Sequence, residues 1–403
     1  MNEVSPAIPA SGEERHATWL ELFFDLVAVA GVAQIAHLLH GEPGAADLGL
    51  YVLLFLAFWT AWVCFTLYGN VAGEGTHVRT VLAAMFGMAV MAAAVPGVHA
   101  GENSQARALA LAYVVIRILA NRVWRHRREI LVDWPAAQMS LGVIPWIVSL
   151  WAHEPVRYWL WALGIALDLY VTFTVSARDI IENRRAQDQG EKTPSRLREA
   201  VLPVSVAAPD AGHLSERLGL FVIIVLGEGV AQVVEAASEA PWNRRLYGLA
   251  AAAFFLLVAL WSLSFRHGYA GVPYLTARSL PARAALPLHC FLSGCLAALA
   301  AGLGAAAEHL DTLPDSTRWL LCSSLAGYFL LTGIAALRQP LGARRWLLSV
   351  VLPCGTVPLL IAGAGAGLGT VAVVWLLVAV TLWPTFYESR RAKRLGANAR
   401  PGT

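Results

Sequence analysis

Long apolar runs, separated by short polar stretches, dominate the chain. A helix needs about 20 mostly apolar residues to cross the hydrocarbon core of a bilayer, with a range of about 17–25. The windows that meet this requirement are 19–38, 48–69, 78–98, 106–124, 133–152, 157–176, 215–237, 246–264, 284–306, 318–337, 346–363 and 369–387. The pattern predicts an all-α fold, a polytopic transmembrane helix bundle of about twelve helices.

The basic residues alternate between successive loops, as they do in multi-pass membrane proteins. Lys and Arg are enriched in cytoplasmic loops. If the N-terminus is inside, all but five of the 30 Lys and Arg residues fall on the cytoplasmic face. The five on the other face are Arg107, Arg157, Arg244, Arg245 and Arg318. We therefore expect both termini to be cytoplasmic.

Composition supports a membrane protein and excludes several other classes. Hydrophobic residues make up 57% of the chain and charged residues 14%, against about 45–50% and about 25% in soluble domains. The five cysteines have no metal-binding spacing, and a net charge of +3 without a basic patch argues against nucleic-acid binding. We expect no metal and no cofactor. Residues 1–18 lack the features of a signal peptide, so the first apolar helix should be retained.

An internal repeat divides the chain. Residues 20–35 align without gaps onto 218–233, and Gly-Val-Ala-Gln occurs in both segments at an offset of 198 residues. The pattern predicts two six-helix pseudo-repeats in parallel orientation. The expected organisation is a cytoplasmic N-terminal segment (1–18), a first half (19–176), a cytoplasmic linker (177–214), a second half (215–387) and a basic cytoplasmic tail (388–403).

Two acidic residues lie close together in the first predicted helix. Glu21 and Asp25 are spaced i, i+4 and therefore share one face. Charged side chains inside a membrane are costly and are candidates for function by default. The structural alternative is an ion pair with an arginine at a neighbouring helix end, such as Arg79 or Arg117.

The seventh predicted helix carries a polar stripe. Glu228, Gln232 and Glu235 are spaced i, i+4, i+7, and Gln34 holds the position of Gln232 in the first half. Such a stripe must face the bundle interior or water, because lipid would leave its polar groups unsatisfied. It indicates either a water-filled or ion-conducting path, or a structural hydrogen-bond network.

Asp168 and His289 are further polar residues deep within predicted helices. If Asp168 or Glu228 met His289, the pair could relay protons, because histidine titrates near neutral pH. The alternative is a satisfied structural hydrogen bond at each position.

Three segments carry a family resemblance. They are Trp-Leu-Glu-Leu-Phe-Phe-Asp-Leu-Val at 19–27, Asn70 with Arg79 and Met85, and the segment 215–228 that begins Ser-Glu-Arg-Leu-Gly-Leu-Phe. Together they resemble the bacterial low temperature requirement A family of multi-pass membrane proteins. The resemblance implies a bacterial inner-membrane location and the family-type polar positions Glu21, Asp25, Asn70, Arg79, Glu216, Arg217 and Glu228. Residues 71–75 depart from the family pattern, which often has several acidic residues there.

The first functional hypothesis is a channel or secondary transporter that moves a small ion or solute between the two halves. The second is a non-transporting membrane scaffold or sensor in cold or stress adaptation, and the third is an intramembrane enzyme that uses Asp168 and His289. We favour a protein that is not an enzyme. The expected partners are membrane lipids and a small ion or solute, with a homo-oligomer left open.

Overall fold

A computed structural model provides the fold of this chain. The residues it describes are 16–127, 129–131, 134–138, 141–174, 205–266, 282–336 and 343–398. Helices account for nearly all of these residues.

The first half of the bundle contains six helices. They are α1 (Trp19–Ala36), α2 (Ala45–Ala72), α3 (Val78–His99), α4 (Asn103–Arg127), α5 (Val143–Val148) and α6 (Val156–Thr174). Short 3-10 turns lie at His37–Leu39, Gly73–Gly75, Pro135–Ala137 and Ser149–Trp151. We call the side of the membrane at which α1 begins the proximal side, and the opposite side the distal side.

The second half has its helices in the same order, and its fifth element is divided into two helices. Its helices are α7 (Ala211–Glu239), α8 (Arg244–Arg266), α9 (Ala282–Glu308), α10 (Asp315–Ala336), α11 (Ala343–Trp346), α12 (Leu352–Ala364) and α13 (Thr370–Asn398). A π-helical turn, Leu347–Val351, joins α11 to α12. The helix α13 continues into the predicted basic tail.

The polytopic membrane fold predicted from the sequence is confirmed. Within the described residues, eight helical segments are long and apolar enough to span a membrane. The prediction of one continuous span over 133–152 is wrong, because the described residues of this segment form α5 and two 3-10 turns in place of one long helix. Pro135 and Pro145 lack the backbone N–H that a helix interior requires, which disfavours one continuous helix over this segment.

Side chains at the first turns fix where α1 and α7 begin. Thr18 Oγ1 accepts a bond from Glu21 N at 3.3 Å, and Glu21 Oε2 accepts one from Thr18 N at 2.8 Å. This is a capping box. Asp210 caps α7 by accepting from the backbone N–H groups of Gly212 and His213. Both helices therefore begin at defined residues on the proximal side.

The two halves share one pattern of neighbouring helices. In the first half, α1 packs on α2 and α3, α3 on α4, α4 on α5, α5 on α6, and α2 on α6. In the second half, α7 packs on α8 and α9, α9 on α10, α10 on α12, α12 on α13, and α8 on α13. These pairs of neighbouring helices correspond one to one between the halves.

A seam between the halves runs through the centre of the bundle. The helices α1 and α2 contact α7 and α9 across it, and α9 has the most buried middle of the eight spans. Small residues allow this close packing: a Cβ atom at Gly294 of α9 would lie 3.2 Å from the ring of Phe55 of α2.

Much of the predicted linker, 177–214, lies outside the described residues. Its last part contains strand β2 (Ser205–Ala207), which pairs in parallel with strand β1 (Glu129–Leu131), and the first turn of α7. The pair joins the chain just after α4 to the chain just before α7.

Candidate functional site

The proximal charge cluster, formed by Glu21, Asp25, Asn70, His213 and Arg217, lies where α1, α2 and α7 meet. Arg217 Nε donates to Asp25 Oδ2 at 2.9 Å, and Arg217 Nη2 donates to Asp25 Oδ1 at 2.5 Å. Arg217 Nη1 also lies 3.2 Å from Glu21 Oε1. All three side chains are buried. One arginine of the second half therefore holds two carboxylates of the first half.

His213 and Asn70 complete the cluster on its proximal face. The Asn70 amide pairs with the backbone of Asp210: its Nδ2 donates to Asp210 O at 3.0 Å, and its Oδ1 accepts from Asp210 N at 2.8 Å. The same Nδ2 lies 3.0 Å from His213 Nδ1, which must therefore accept. The imidazole proton then lies on Nε2, which donates to Glu21 Oε2 at 3.3 Å.

A cavity of about 240 Å³ lies beside this cluster. Glu21 and Arg217 form part of its wall, together with Thr18 of the α1 cap and glycines at the end of α2. Gly69 lets the Glu21 side chain approach α2 closely, because a Cβ atom at this position would lie 2.8 Å from Glu21 Oε1. The cluster is thus packed on one side and borders open space on the other.

An aromatic layer covers the cluster toward the membrane centre. Trp62 Nε1 donates to Asp25 Oδ1 at 2.7 Å, and the Trp62 ring packs on Phe221 with 4.4 Å between centroids. Trp59 Nε1 donates to His289 Nδ1 at 3.3 Å, so His289 Nε2 must carry the proton that it donates to Leu218 O at 3.1 Å. The partners of His289 therefore hold its ring in the neutral form.

The distal polar column runs along the other half of α7 and consists of Glu228, Gln232, His40, Glu308 and Glu235. Gln232 Nε2 donates to Glu228 Oε1 at 2.7 Å near the middle of α7. Gln232 lies beside His40, and His40 Nδ1 lies 4.0 Å from Glu308 Oε1. Glu228 is half-buried and Glu235 is exposed. The column reaches from mid-membrane to the distal surface.

His40 is the titratable group at the mouth of the distal polar column. Its ring lies 4.7 Å from that of His37, measured between centroids. Burial, and after it the neighbouring His37, lower the pKa of His40, while Glu308, Gln232 and Glu235 partly offset the shift. This imidazole is therefore neutral over a wider pH range than a free histidine.

Asp168 lies in a separate buried pair within the first half. Arg117 Nη2 lies 3.1 Å from Asp168 Oδ2 and donates to Ala136 O at 2.7 Å. Arg117 Nη1 donates to Cys64 Sγ at 3.1 Å. The structure does not join Asp168 to His289, since the imidazole bonds only Trp59 and Leu218 within the described part of the chain. The arrangement gives no support to an acid–imidazole relay.

The structure also corrects the partners expected for Glu21 and Asp25. Neither Arg79 nor Arg117 pairs with them: Arg79 is exposed and Arg117 holds Asp168, while the partner is Arg217. Sequence reasoning did not identify His213, because this residue fell within the predicted linker. The sequence signal that could have identified His213 is its position one helical turn before Arg217.

The remaining predicted positions lie apart from both groups. Glu216 is half-buried at the proximal surface, where Glu216 Oε2 accepts from Ala17 N at 3.1 Å and Oε1 lies 3.6 Å from His16 Nδ1. Gln34 is half-buried in α1 and makes no side-chain hydrogen bond among the described residues. The cluster therefore unites four of the family-type positions (Glu21, Asp25, Asn70 and Arg217).

Comparison with known families decides what kind of protein this is. Residues 16–383 match the family described as bacterial low temperature requirement A protein. The chain belongs to the low temperature requirement A family. Neither the comparison with curated proteins nor the comparison with solved structures finds a match. Membership in the low temperature requirement A family confirms the resemblance carried by the three sequence segments and agrees with a multi-pass membrane protein.

The donor set of this low temperature requirement A family member does not point to a metal. Within the ranges that the structure describes, no group of three or more His, Cys, Asp and Glu side chains is placed to hold a metal ion. The five cysteines are free thiols, and four of them are buried. The polar groups of the proximal charge cluster and the distal polar column are ion-paired side chains, amides and imidazoles.

Proposed function

We propose that this protein is a channel or secondary transporter that moves a small cation along the seam between its two halves. The observation that carries the proposal is Glu228, a half-buried carboxylate near mid-membrane. From Glu228 a row of polar side chains, which includes Gln232 and His40, leads to the distal surface. Acidic residues inside membranes are costly and mark ion pathways. Three of the five members of the distal polar column are carboxylates (Glu228, Glu235 and Glu308), which favour a cation.

The proximal charge cluster closes the other end of this path. Arg217 joins α7 to Asp25 and Glu21 of α1, so the two halves are tied together on this side by buried ion pairs. The aromatic layer of Trp59, Trp62 and Phe221 lies between the cluster and the distal polar column. Opening the seam on the proximal side requires breaking these contacts, which makes the cluster a gate in this proposal.

The corresponding helix neighbours support two parallel repeats, as transporters of this kind have. We further propose that the proximal side faces the cytoplasm of a bacterial cell, because the sequence pattern predicts all but five of the 30 Lys and Arg residues on the side of the N-terminus. In that orientation the distal polar column opens to the outside.

Cation flux into vesicles tests the proposal. Purified protein in liposomes should pass at least one of K⁺, Na⁺ or NH₄⁺ under an imposed gradient, and Glu228→Gln should reduce this flux at least tenfold. The matched control is Glu239→Gln at the exposed distal end of α7, which should keep the wild-type flux. Absence of flux for every cation, or equal flux in the two variants, contradicts the proposal.

That negative outcome would favour the non-transporting scaffold or sensor. In this case deleting residues 184–200 should abolish the cold or stress phenotype, and Glu228→Gln should leave the phenotype intact.

A further inference from the structure

A groove opens on the distal half of the bundle, between α2 of the first half and α9 and α10 of the second. Its volume is about 400 Å³, within the range of roughly 300–1,000 Å³ that is typical of small-molecule sites. Exposed apolar side chains form both rims: Leu48 and Val52 on α2, and Phe291 on α9 with Trp319 on α10. The groove is thus open toward the surface that faces lipid.

The back wall of the groove is held by one contact across the seam. Tyr51 OH donates to Gly294 O at 2.7 Å, which satisfies the only polar group of this buried tyrosine. A Cβ atom at Gly294 would lie 3.2 Å from the ring of Phe55, so α2 and α9 approach each other closely there. The groove lies in front of this contact, between these two helices and α10.

The length and position of the groove match one leaflet of a bilayer. Its lining on α2 extends from Ala45, the first residue of the helix, to Leu56. Eleven residues of α-helix span about 16 Å at about 1.5 Å per residue. Half of a hydrocarbon core is about 15 Å thick. The groove therefore begins near the distal membrane surface and ends near the midplane.

We propose that this groove binds one acyl chain of a phospholipid from the distal leaflet. The apolar lining suits a hydrocarbon chain, and the open rims allow it to enter sideways from the bilayer. The polar end of the groove, at Ser316 and the start of α2, lies at the depth of the headgroups. Because its walls belong to different halves, the bound chain fills a gap in the seam.

Photocrosslinking tests this inference directly. The full-length protein is reconstituted in vesicles of phosphatidylethanolamine and phosphatidylglycerol that contain a trace of phospholipid with a diazirine on one acyl chain. Peptide mapping by mass spectrometry should place crosslinks on the lining of α2, α9 and α10 at several times the level on other exposed helices. Cys295→Phe, which fills the groove, should lower this labelling at least fivefold. Val258→Phe, on the exposed face of α8, is the matched control and should leave it unchanged.

Two further measurements decide the result if Cys295→Phe does not fold. Ser323→Phe fills the same groove from α10 and should give the same loss of labelling. Added phospholipid should also raise the unfolding temperature of the delipidated wild-type protein. Even labelling of all exposed helices overturns the proposal, as does labelling that survives in a folded groove-filling variant. Replacement of the phospholipid by an equimolar diazirine fatty acid also overturns it, because the occupant would then be a free fatty acid.

Discussion

Arg217 and Arg117 are both buried arginines within the bundle, but they differ in what they hold and in which helices they join. Among the described residues, Arg117 has one carboxylate partner, Asp168, and its bonds to Cys64 and Ala136 also lie within the first half. Arg217 has two carboxylate partners, Glu21 and Asp25, and ties the second half to the first. The first arrangement is that of a structural ion pair, and the second is that of a contact that can be partly broken while the guanidinium stays paired.

The largest expected effect comes from removing Arg117, which supplies the counter-charge of the buried carboxylate of Asp168. Arg117→Met leaves Asp168 buried without its counter-charge, which typically costs about 3–5 kcal/mol. Denaturant unfolding in detergent micelles measures the loss. The double variant Arg117→Met, Asp168→Leu should recover most of the lost stability, because both charges are then gone. A single variant as stable as the wild type would show that Asp168 does not need Arg117.

Two glycines sharpen the same comparison. A Cβ atom at Gly142 would overlap both the carboxylate of Asp168 and the backbone carbonyl of Gly164, whereas at Gly69 it would meet only the carboxylate end of Glu21. Overpacking of this kind costs about 1–3 kcal/mol. Gly142→Ala should reach the upper end of this range, because backbone moves less easily than a side chain, and Gly69→Ala the lower end. Thermal unfolding of the two variants side by side checks this order, and the reverse order would contradict it.

Asp25→Asn should cost less stability than Arg117→Met while changing function more. Arg217 keeps Glu21 as a partner, so the expected loss is about 1–3 kcal/mol for an imperfectly satisfied buried group. Because the proximal gate is weakened, passive cation flux into vesicles should rise several-fold. The matched control is Asp168→Asn, which changes an acid outside the seam. Equal flux in the two variants, measured per folded protein, would remove the distinction between the pairs.

The smallest effect is expected at Arg79. This side chain is exposed and has no ion pair among the described residues, so Arg79→Gln should change stability by no more than about 0.5 kcal/mol. Flux should also stay at the wild-type level. A tenfold loss of flux would show that Arg79 acts in a state of the protein other than the one described here.

The sequence was sufficient for the helices but not for their contacts. Hydropathy identifies α1, α2 and α7 because each is a long apolar run, and the charges within them stand out against it. Hydropathy does not say which side chains meet: Asp25 binds Arg217, 192 residues later in the chain, whereas nearness along the chain had suggested Arg79 or Arg117. Hydropathy also failed to predict that 133–152 forms α5 and two 3-10 turns among its described residues. The window that contains Pro135 and Pro145 is apolar enough for a span.

His213 and Trp62 could not be assigned from composition for a related reason. His213 lies at the proximal end of α7, where a polar residue is ordinary, and only the geometry of Asn70 and Glu21 makes it part of the cluster. In the sequence, Trp62 is one apolar residue among many. Only the structure shows that its indole N–H donates to the carboxylate of Asp25.

The hydrogen bonds of His289 determine whether this imidazole can pass protons. Proton hopping along a chain of groups needs each member to accept one proton and release another. The indole N–H of Trp59 only donates and the carbonyl of Leu218 only accepts, so the imidazole between them has no free site for a second proton. In this arrangement His289 itself does not relay protons through the centre of the seam.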